Sequence, residues 1–192
     1  MFPGSVDPYV REVTLRRFSE AIEIARKIQA KFVTIHLNYI ENLHEHYLNE
    51  WIINAADTFR KLAKLGVPIH VENTREKDPI IFYRILTEVG DPLVGMCLDV
   101  GHVVAYSNKS IGEWIRTLSG FIVEFHLHEC SPGRDIHEIL GYGYIDWSEF
   151  LSTIKRYHVD LSKIFLTLEP KDERDLKKDL IYMKNLLDNI MG

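Results

Sequence analysis

The sequence predicts an α/β fold in which about five parallel strands alternate with helices and form an incomplete barrel. Five short apolar runs, which predict strands, are separated by longer segments that mostly have the apolar spacing of helices. Strands that alternate with helices pair in parallel through right-handed crossover connections. Each run ends in a side chain that can bind a metal ion. Because the carboxyl ends of parallel strands meet at one edge of a sheet, the sequence also predicts a site there.

The first part of the chain is predicted to contain two helix–strand units. Apolar residues at helical spacing predict a helix over residues 8–29, and the run FVTIHL predicts a strand that carries His36 near its end. A second helix is predicted over residues 46–65, because Gly66 is a residue type that commonly ends helices. The run VPIHVE then predicts the second strand, with Glu72 at its end.

Two more helix–strand units follow in the same order. An Asp-Pro pair, which is favourable at a helix start, predicts a helix over residues 78–89, and the run VGMCLD predicts a third strand that ends at Asp99. Ser110 is a favourable N-cap for a helix over residues 110–118. The run FIVEFHLH then predicts the fourth strand, in which His126 is the metal-capable residue.

The last part of the chain completes the predicted domain. A loop rich in glycine and polar residues is predicted over residues 129–146, followed by a helix over residues 147–157. The run IFLTLE predicts the fifth strand, which ends at Glu169, and a last helix is predicted over residues 172–190. No linker divides the chain, so residues 1–192 are predicted to form one partial barrel domain. A complete eight-stranded barrel takes about 250 residues, and we expect three strand–helix units to be absent before the first helix.

Composition and charge limit the classes of function. Hydrophobic residues make up 46% and charged residues 27% of the chain, which is ordinary for a globular protein. The net charge of −5 disfavours nucleic acid as a partner, and no apolar run approaches the roughly 20 residues that span a membrane. Two cysteines give no disulfide framework, which favours a cytoplasmic location, and the single glutamine favours a thermophilic source. Because an incomplete barrel has two open sheet edges, we expect a homodimer to cover them.

The metal-capable residues at the strand ends form one predicted set. They are His36, Glu72, Asp99, His126 and Glu169, at spacings of 36, 27, 27 and 43 residues. Burying ionisable groups is costly unless they are paired or bind a metal, so this succession of strand ends indicates a metal site. Histidine and carboxylate ligands together suit divalent ions such as Zn²⁺, Mn²⁺ or Co²⁺, and Mg²⁺ also accepts carboxylates.

Other polar residues near the strand ends have two interpretations each. Asp135 and His137 are one residue apart and can reach one ion, but alone they fit an ordered surface turn equally well. Because these two residues lie beside the strand-end set, we favour a metal site for them. His70 and His128 lie two residues from strand-end residues, on the same strand faces. They either hold metal ligands in place or are plain residues of the barrel interior.

Several ordered motifs resemble the xylose-isomerase-like TIM-barrel superfamily, namely HVENT, CLDVGH, HLHE, DIHEILGYGYIDW and LEP. The resemblance extends over nearly the whole chain, from the first predicted helix to Glu169. That superfamily contains sugar and sugar-phosphate isomerases and epimerases, and also the endonuclease IV type of enzyme that repairs abasic DNA. The resemblance implies a TIM-barrel-like fold with about five of the eight strands.

The sugar epimerases of that superfamily suggest a first function. The resemblance implies that one metal ion is held by Glu72, Asp99, His126 and Glu169. It also implies that Glu72 and Glu169 form an acid/base pair, which moves a proton between the carbons flanking a carbonyl through an enediolate. His102 would then bind a substrate oxygen, and His36 and His128 are further candidates for substrate contact.

Two alternatives remain open. In endonuclease IV the same four positions belong to a cluster of three zinc ions, and the resemblance matches its further ligands to His36, His102, Asp135 and His137. Glu72 would then bridge two metals, but one further histidine of that cluster comes from a strand before His36 that we do not find. The third possibility, favoured by the missing strands, is an inactive barrel fragment that acts only through assembly. The partner is accordingly a small sugar, abasic DNA or a second copy.

Overall fold

The computed structural model describes residues 1–191, with side chains described through residue 188. Within these residues one parallel sheet is formed by β1 (Val33–His36), β2 (Ile69–Glu72), β3 (Val94–Asp99), β4 (Ile122–Leu127) and β7 (Phe165–Leu168). The strands lie in the order β1-β2-β3-β4-β7. Two further strands, β5 (Glu129–Ser131) and β6 (Arg134–Glu138), form a separate antiparallel hairpin. The predicted α/β half-barrel with parallel strands is therefore confirmed.

Helices alternate with the strands of the sheet along the chain. They are α1 (Pro8–Lys27), α2 (Glu41–His44), α3 (Leu48–Ala63), α4 (Ile80–Val89), α5 (Val100–Tyr106), α6 (Ile111–Leu118), α7 (Trp147–Arg156) and α8 (Leu176–Met191). Single 3₁₀ turns occur at Glu45–Tyr47 and Leu161–Lys163. The predicted helices correspond to α1, α3, α4, α6, α7 and α8, with ends that differ from the predicted ones by no more than four residues. Among the described residues, no helix is both long and apolar enough to cross a membrane.

Local sequence determines where several of these helices begin and end. The side chain of Asp7 accepts hydrogen bonds from two backbone N–H groups in the first turn of α1. Ser110 and Glu113 form a capping box at the start of α6, in which each side chain accepts from the backbone N–H of the other. Gly90 ends α4 with φ 60°, a left-handed conformation that glycine adopts easily. These ends fix the direction in which each strand enters the sheet.

The short helices α2 and α5 and the hairpin of β5 and β6 were not predicted from the sequence. Helix α5 begins directly after Asp99, whose side chain accepts from the backbone N–H of His102 and caps the helix. It has seven residues, which is too short to give a clear helical period. The predicted loop over residues 129–146 contains the hairpin of β5 and β6, whose turn includes Gly133 at φ 75°. β5 and β6 have only three and five residues of mixed polarity, so their sequence has no alternation of apolar and polar residues that would predict a strand.

The core lies between the sheet and its helices. Trp51, Trp114 and Trp147 are almost fully buried, and the rings of Phe82 and Trp114 pack with centroids 5.6 Å apart. Burying a large apolar side chain stabilises a fold by about 1.5–3 kcal/mol. This apolar layer holds the strands in register from one side, so their other face is available for polar residues.

Strand register brings the strand ends into a staggered row. His36 pairs with Glu72 across β1 and β2, and Asp99 pairs with His126 across β3 and β4. Glu72 pairs with Cys97, so β3 extends two residues farther than β2, and β7 is shifted by two residues relative to β4. Because side chains alternate along a strand, a two-residue shift keeps them on the same face. The register therefore directs all the strand-end residues to one side of the sheet.

The sheet is curved, and its two edge strands approach each other across the concave face. Phe32, directly before β1, and Phe165, the first residue of β7, have ring centroids 4.6 Å apart. Among the described residues, β1 and β7 each pair with a single strand. The adjoining helices α1 and α8 expose large apolar side chains, including Val13, Ile24 and Leu180. Open strand edges beside exposed apolar helices are the features of an incomplete barrel.

Candidate metal centre

The carboxylates of three strand-end residues lie around a ring nitrogen of the fourth, His126. Nδ1 of His126 lies 3.3 Å from Oε1 of Glu72 and 3.1 Å from Oε1 of Glu169. Oδ2 of Asp99 is 3.9 Å from the same nitrogen. Ligands that each lie about 2.1 Å from one zinc ion are separated by roughly 3–3.5 Å in a tetrahedral site. We call these four side chains the strand cluster. Asp99, His126 and Glu169 bring ligand atoms within 4.8 Å of one another, and Glu72 forms a group of the same kind with Asp99 and His102. The distances to Nδ1 of His126 are therefore near those that a metal site requires.

The nitrogen at the centre of the strand cluster is a buried atom without a partner. His126 is 6% exposed, and its Nδ1 accepts or donates no hydrogen bond within the described part of the chain. Leaving a buried polar atom unpaired costs about 1–3 kcal/mol. A cation bound to this nitrogen and to the three carboxylates would remove that cost. The residues therefore fit a divalent metal ion.

Burial and the neighbouring histidines have opposite effects on the pKa values of these carboxyl groups. Burial alone would raise the pKa of Glu72, but the nearby His126 and His36 outweigh it and lower the pKa to about 2. Burial also opposes ionisation of Glu169, and the nearby His126 lowers its pKa. Burial would lower the pKa of His126, but Cys97 and the surrounding carboxylates raise it well above its usual value. Glu72 and Glu169 are thus ionised at neutral pH, the state in which carboxylates bind cations.

The two carboxyl oxygens of Glu72 each lie near a different histidine. Oε1 is directed to His126, and Oε2 lies 3.2 Å from Nε2 of His36. The side chain of His36 is 55% exposed, and its hydrogen bond with Glu72 raises its pKa. His36 therefore lies at the rim of the strand cluster, where a second ion or a ligand can reach it.

Three residues outside the sheet form a second group, which we call the loop cluster. Nε2 of His102 lies 3.3 Å from Oδ2 of Asp135, and Nε2 of His137 lies 3.1 Å from Oδ1 of the same carboxylate. The Nδ1 atoms of His102 and His137 are 2.8 Å from the backbone oxygens of Asn73 and Glu169, respectively. Since a carbonyl only accepts, each Nδ1 donates, and a hydrogen bond from Nε2 to the Asp135 carboxylate means that Nε2 also carries a proton until a metal ion replaces it. Both histidines are therefore oriented as metal ligands usually are.

The hairpin that carries Asp135 and His137 is anchored by Glu129. This carboxylate is 1% exposed and accepts from the backbone N–H of Gly141 (2.9 Å) and from Nε1 of Trp147 (2.6 Å). A Cβ atom at Gly143 would lie 2.2 Å from Oε2 of Glu129, so only glycine fits this approach. His137 has φ 50°, which is uncommon for a residue with a side chain. Asp135 and His137 thus depend on the local packing of the hairpin, whereas His102 is held by the backbone of Asn73 and by Asp99, which caps its helix.

His128 supports the strand cluster from behind. Its Nε2 lies 3.0 Å from both oxygens of Asp99, and its ring stacks on His137 with centroids 3.8 Å apart. Burial would lower the pKa of His128, but Asp99 and Cys130 raise it to about 10. His128 is 1% exposed, which leaves it no surface for a substrate. The structure therefore favours a role in holding Asp99 over the predicted substrate contact.

Sequence reasoning did not single out four buried polar residues near the site, namely Asn73, Glu76, Glu124 and Glu129. Asn73 holds the end of β3, because its amide exchanges hydrogen bonds of 2.9 and 3.0 Å with the backbone of Asp99. Asn73 and Glu129 lie within the motifs HVENT and HLHE, which was an available signal. Glu124 could have been found from its place two residues before His126 on the same strand face.

Comparison with protein families places the fold in a known group. The family model described as xylose isomerase-like TIM barrel matches residues 1–186. The chain belongs to this family. The match includes all residues of the strand cluster and the loop cluster, and it confirms the resemblance that the sequence motifs indicated.

Two curated relatives in this group have different descriptions. An uncharacterised protein of Methanocaldococcus jannaschii is 25% identical over 199 residues, which cover 97% of this chain and 66% of the relative. A probable endonuclease 4 of Campylobacter fetus subsp. fetus is 24% identical over 207 residues, which cover 96% of this chain and 72% of the relative. The chain spans 66% of the length of the first of these relatives, slightly less than two thirds.

Solved structures of the xylose isomerase-like fold include a sugar epimerase-like protein and a zinc-bound protein. The crystal structure of a D-tagatose 3-epimerase-like protein has a TM-score of 0.82 and 25% identity, and the match covers 99% of this chain and 74% of that one. The IOLI protein, whose structure contains a zinc atom, has a TM-score of 0.71 and 19% identity, with 97% of this chain and 72% of that one covered. A metal ion is therefore found within this fold.

Proposed function

We propose that this protein is a divalent-metal-dependent isomerase or epimerase that acts on a sugar or a sugar phosphate. The observation that supports the proposal best is the convergence of Glu72, Asp99 and Glu169 on the unpartnered Nδ1 of His126. These four residues are the set that the resemblance to sugar epimerases implies. The likeness to the D-tagatose 3-epimerase-like structure also supports this function.

The strand cluster would hold one divalent ion, with Mn²⁺, Co²⁺, Zn²⁺ and Mg²⁺ as candidates. Such an ion polarises the carbonyl and hydroxyl oxygens of a bound sugar and so increases the acidity of the adjoining C–H bond. His102, which lies beside the strand cluster, and the half-exposed His36 can donate hydrogen bonds to substrate hydroxyl groups. These contacts would orient the sugar carbon that loses its proton.

Glu72 and Glu169 would transfer the proton. An ionised carboxylate removes the proton beside the carbonyl, and a second carboxyl group returns one to the substrate, so each acts in turn as base and acid. The carboxyl oxygens of Glu72 and Glu169 lie 3.3 and 3.1 Å from the same nitrogen, and this proximity supports a role for both at one reacting centre. Glu72 is 4% exposed, whereas the side chain of Glu169 is 30% exposed. The proton on Glu169 would therefore exchange more readily with solvent.

Hydrogen exchange tests this function even though the identity of the sugar is open. The protein would be treated with a chelator, reloaded with each candidate ion and incubated in D₂O with a panel of ketoses and ketose phosphates. We expect deuterium to enter beside the carbonyl, as measured by NMR, and to stop entering when the chelator is present. Glu169→Gln should lower the exchange rate by about 10²–10⁴-fold. Glu173→Gln removes the same charge from an exposed position and should retain the wild-type rate.

A second candidate function is cleavage of abasic DNA by an endonuclease IV-like phosphodiesterase. The loop cluster favours it, because two oriented histidines face one carboxylate beside the strand cluster. The probable endonuclease 4 among the relatives also supports it. Three zinc ions per chain, together with cleavage of an oligonucleotide that contains one abasic site, would favour the nuclease. One ion per chain and no cleavage would favour the sugar enzyme.

A third proposal concerns assembly of the chain. The open edges of β1 and β7 and the exposed apolar residues of α1 and α8 favour a second copy as a partner that covers them. We expect sedimentation velocity to show a homodimer at micromolar concentration. A monomer that remains folded and binds metal would contradict this proposal and leave the proposed activity in place.

A further inference from the structure

A polar layer lies directly beneath the strand-end residues. Each strand of the parallel sheet carries a side chain with a polar or thiol group two residues before its strand-end residue, namely Thr34, His70, Cys97, Glu124 and Thr167. Because side chains alternate along a strand, residues two apart face the same side of the sheet. Glu124 is the one carboxylate of this layer, and it is 1% exposed. Polar residues therefore lie between the predicted metal ligands and the apolar core.

Glu124 connects this layer across four strands. Its Oε2 accepts from Oγ1 of Thr34 (2.9 Å) and lies 2.9 Å from Nδ1 of His70. Its Oε1 accepts from Oγ1 of Thr167 (2.6 Å) and lies 3.3 Å from Nε2 of His126. A buried carboxylate is stable only when its oxygens are paired, and here both are paired twice. The carboxylate on β4 thereby links β1, β2 and β7 just below their strand-end residues.

Once His126 gives up one proton, as binding of a metal ion requires, the contact with Glu124 determines which ring nitrogen keeps the other. An ionised carboxylate only accepts hydrogen bonds, so a neutral His126 keeps its proton on Nε2 and a lone pair on Nδ1. We infer that Glu124 is a positioning residue that holds His126 in the tautomer and orientation in which Nδ1 binds the metal ion. The inference rests on the proposed function, because it concerns a ligand of the proposed metal site. It adds a residue to which the strand-end pattern gave no role.

Glu124→Gln tests the inference with little change in side-chain shape. The amide group can donate to Nε2 of His126, which would stabilise the tautomer with its proton on Nδ1 and remove the lone pair. Replacing a group that orients a metal ligand commonly lowers metal affinity by about 10–100-fold, and we expect this loss for Co²⁺ and Zn²⁺. Competition with a chromophoric chelator measures it. Glu124→Asp keeps an acceptor, so we expect its metal affinity to lie between those of the wild type and Glu124→Gln. If the glutamine variant folds poorly, the aspartate variant still tests the inference.

Thr34→Val is the matched control. It removes one hydrogen bond to the same carboxylate but leaves the contact with His126, so the loss of metal affinity should be smaller than in Glu124→Gln. Thermal unfolding of the metal-free proteins measures stability separately from binding. In the Co²⁺ protein, the exchangeable N–H proton of His126 gives a paramagnetically shifted NMR signal. We expect this signal to move in Glu124→Asp and to stay in place in Thr34→Val, which a purely structural role would not predict.

Three outcomes would overturn the inference. Equal metal affinities of wild type and Glu124→Gln would do so while leaving the metal site in place. Cys97, Glu124 and His126 also bring ligand atoms within 4.8 Å of one another, and an ion held there would bind Nε2 instead. A sulfur-to-cobalt absorption band that is lost in Cys97→Ser would establish that geometry. Failure of the wild-type protein to bind any ion would remove the proposed function as well, so the two failures are distinguishable.

Discussion

The strand cluster and the loop cluster are held in place by different means. Glu72, Asp99 and His126 lie at the ends of paired strands and are 4%, 0% and 6% exposed. Asp135 and His137 lie on the small hairpin, and their side chains are 27% and 31% exposed. A site on paired strands is held more precisely than one on a loop. The difference suggests that the strand cluster carries the chemistry and that the loop cluster adjusts to what binds.

The two clusters are nevertheless joined at several residues. Asp99 belongs to the strand cluster, and its side chain also caps the helix that carries His102. Glu169 contributes its carboxylate to the strand cluster, and its backbone oxygen accepts from Nδ1 of His137. Nδ1 of His102 also lies 3.4 Å from Oδ2 of Asp99 and 3.7 Å from Oε1 of Glu72, so a change in one cluster can reach the other through side-chain contacts as well as through backbone position.

The largest expected effect is that of Glu72→Gln. Glu72 contacts both His126 and His36, so the substitution removes a metal ligand and a member of the proposed acid/base pair. We expect the rate of deuterium exchange into substrate to fall by about 10²–10⁴-fold. Glu50→Gln, at an exposed position of α3, should leave that rate unchanged. A wild-type rate in Glu72→Gln would mean that the strand cluster is not the reacting centre.

The pH dependence of stability gives a second test of the strand cluster. The pKa of Glu72 is about 2 in the folded protein against an ordinary value of 4.5. A lowered carboxyl pKa stabilises the folded state above the unfolded pKa, and this contribution is lost as pH falls from about 4.5 through about 2. We expect a contribution on the order of a few kcal/mol. Unfolding of metal-free wild type should therefore depend more steeply on pH in this window than unfolding of Glu72→Gln, and coincident curves would contradict this.

The same difference explains which parts of the molecule could be predicted from sequence. Strand-end ligands were predictable, because a two-residue period and parallel pairing fix where a side chain at the end of β2 or β3 must lie. Asp135 and His137 were proposed from their spacing beside the strand-end set, but nothing in that spacing reveals the hairpin that carries them. Glu124 was not identified, although its place two residues before His126 puts it on the same face, because its partners Thr34 and Thr167 come together only in the fold.

A third prediction concerns the anchor of the hairpin. In Glu129→Gln the amide nitrogen cannot accept, so at least one of the buried donors from Gly141, Ile145 and Trp147 loses its partner. An unpaired buried donor lowers the free energy of unfolding by about 1–3 kcal/mol, which thermal or urea denaturation measures. Glu138→Gln, at an exposed position of the same hairpin, should have no such effect. Equal stability of both variants would mean that the hairpin does not depend on Glu129.

The smallest expected effect on the strand cluster is that of Asp135→Asn. This substitution also tests most directly how far the strand cluster binds its ion independently of the loop cluster. The substitution removes the carboxylate that Nε2 of His102 and Nε2 of His137 both face, so an ion bound to the loop cluster should be lost. The substitution removes no side chain that contacts Glu72, His126 or Glu169, so its effect on the strand cluster passes through His102 and His128, and such coupling amounts to about 0.5 kcal/mol or more, or at least roughly twofold in affinity. Zinc titration with metal analysis should therefore show one ion retained with an affinity lowered by a few-fold. Loss of all bound zinc would mean that the hairpin helps to hold the strand cluster, because backbone contacts at Glu169 would then transmit the change.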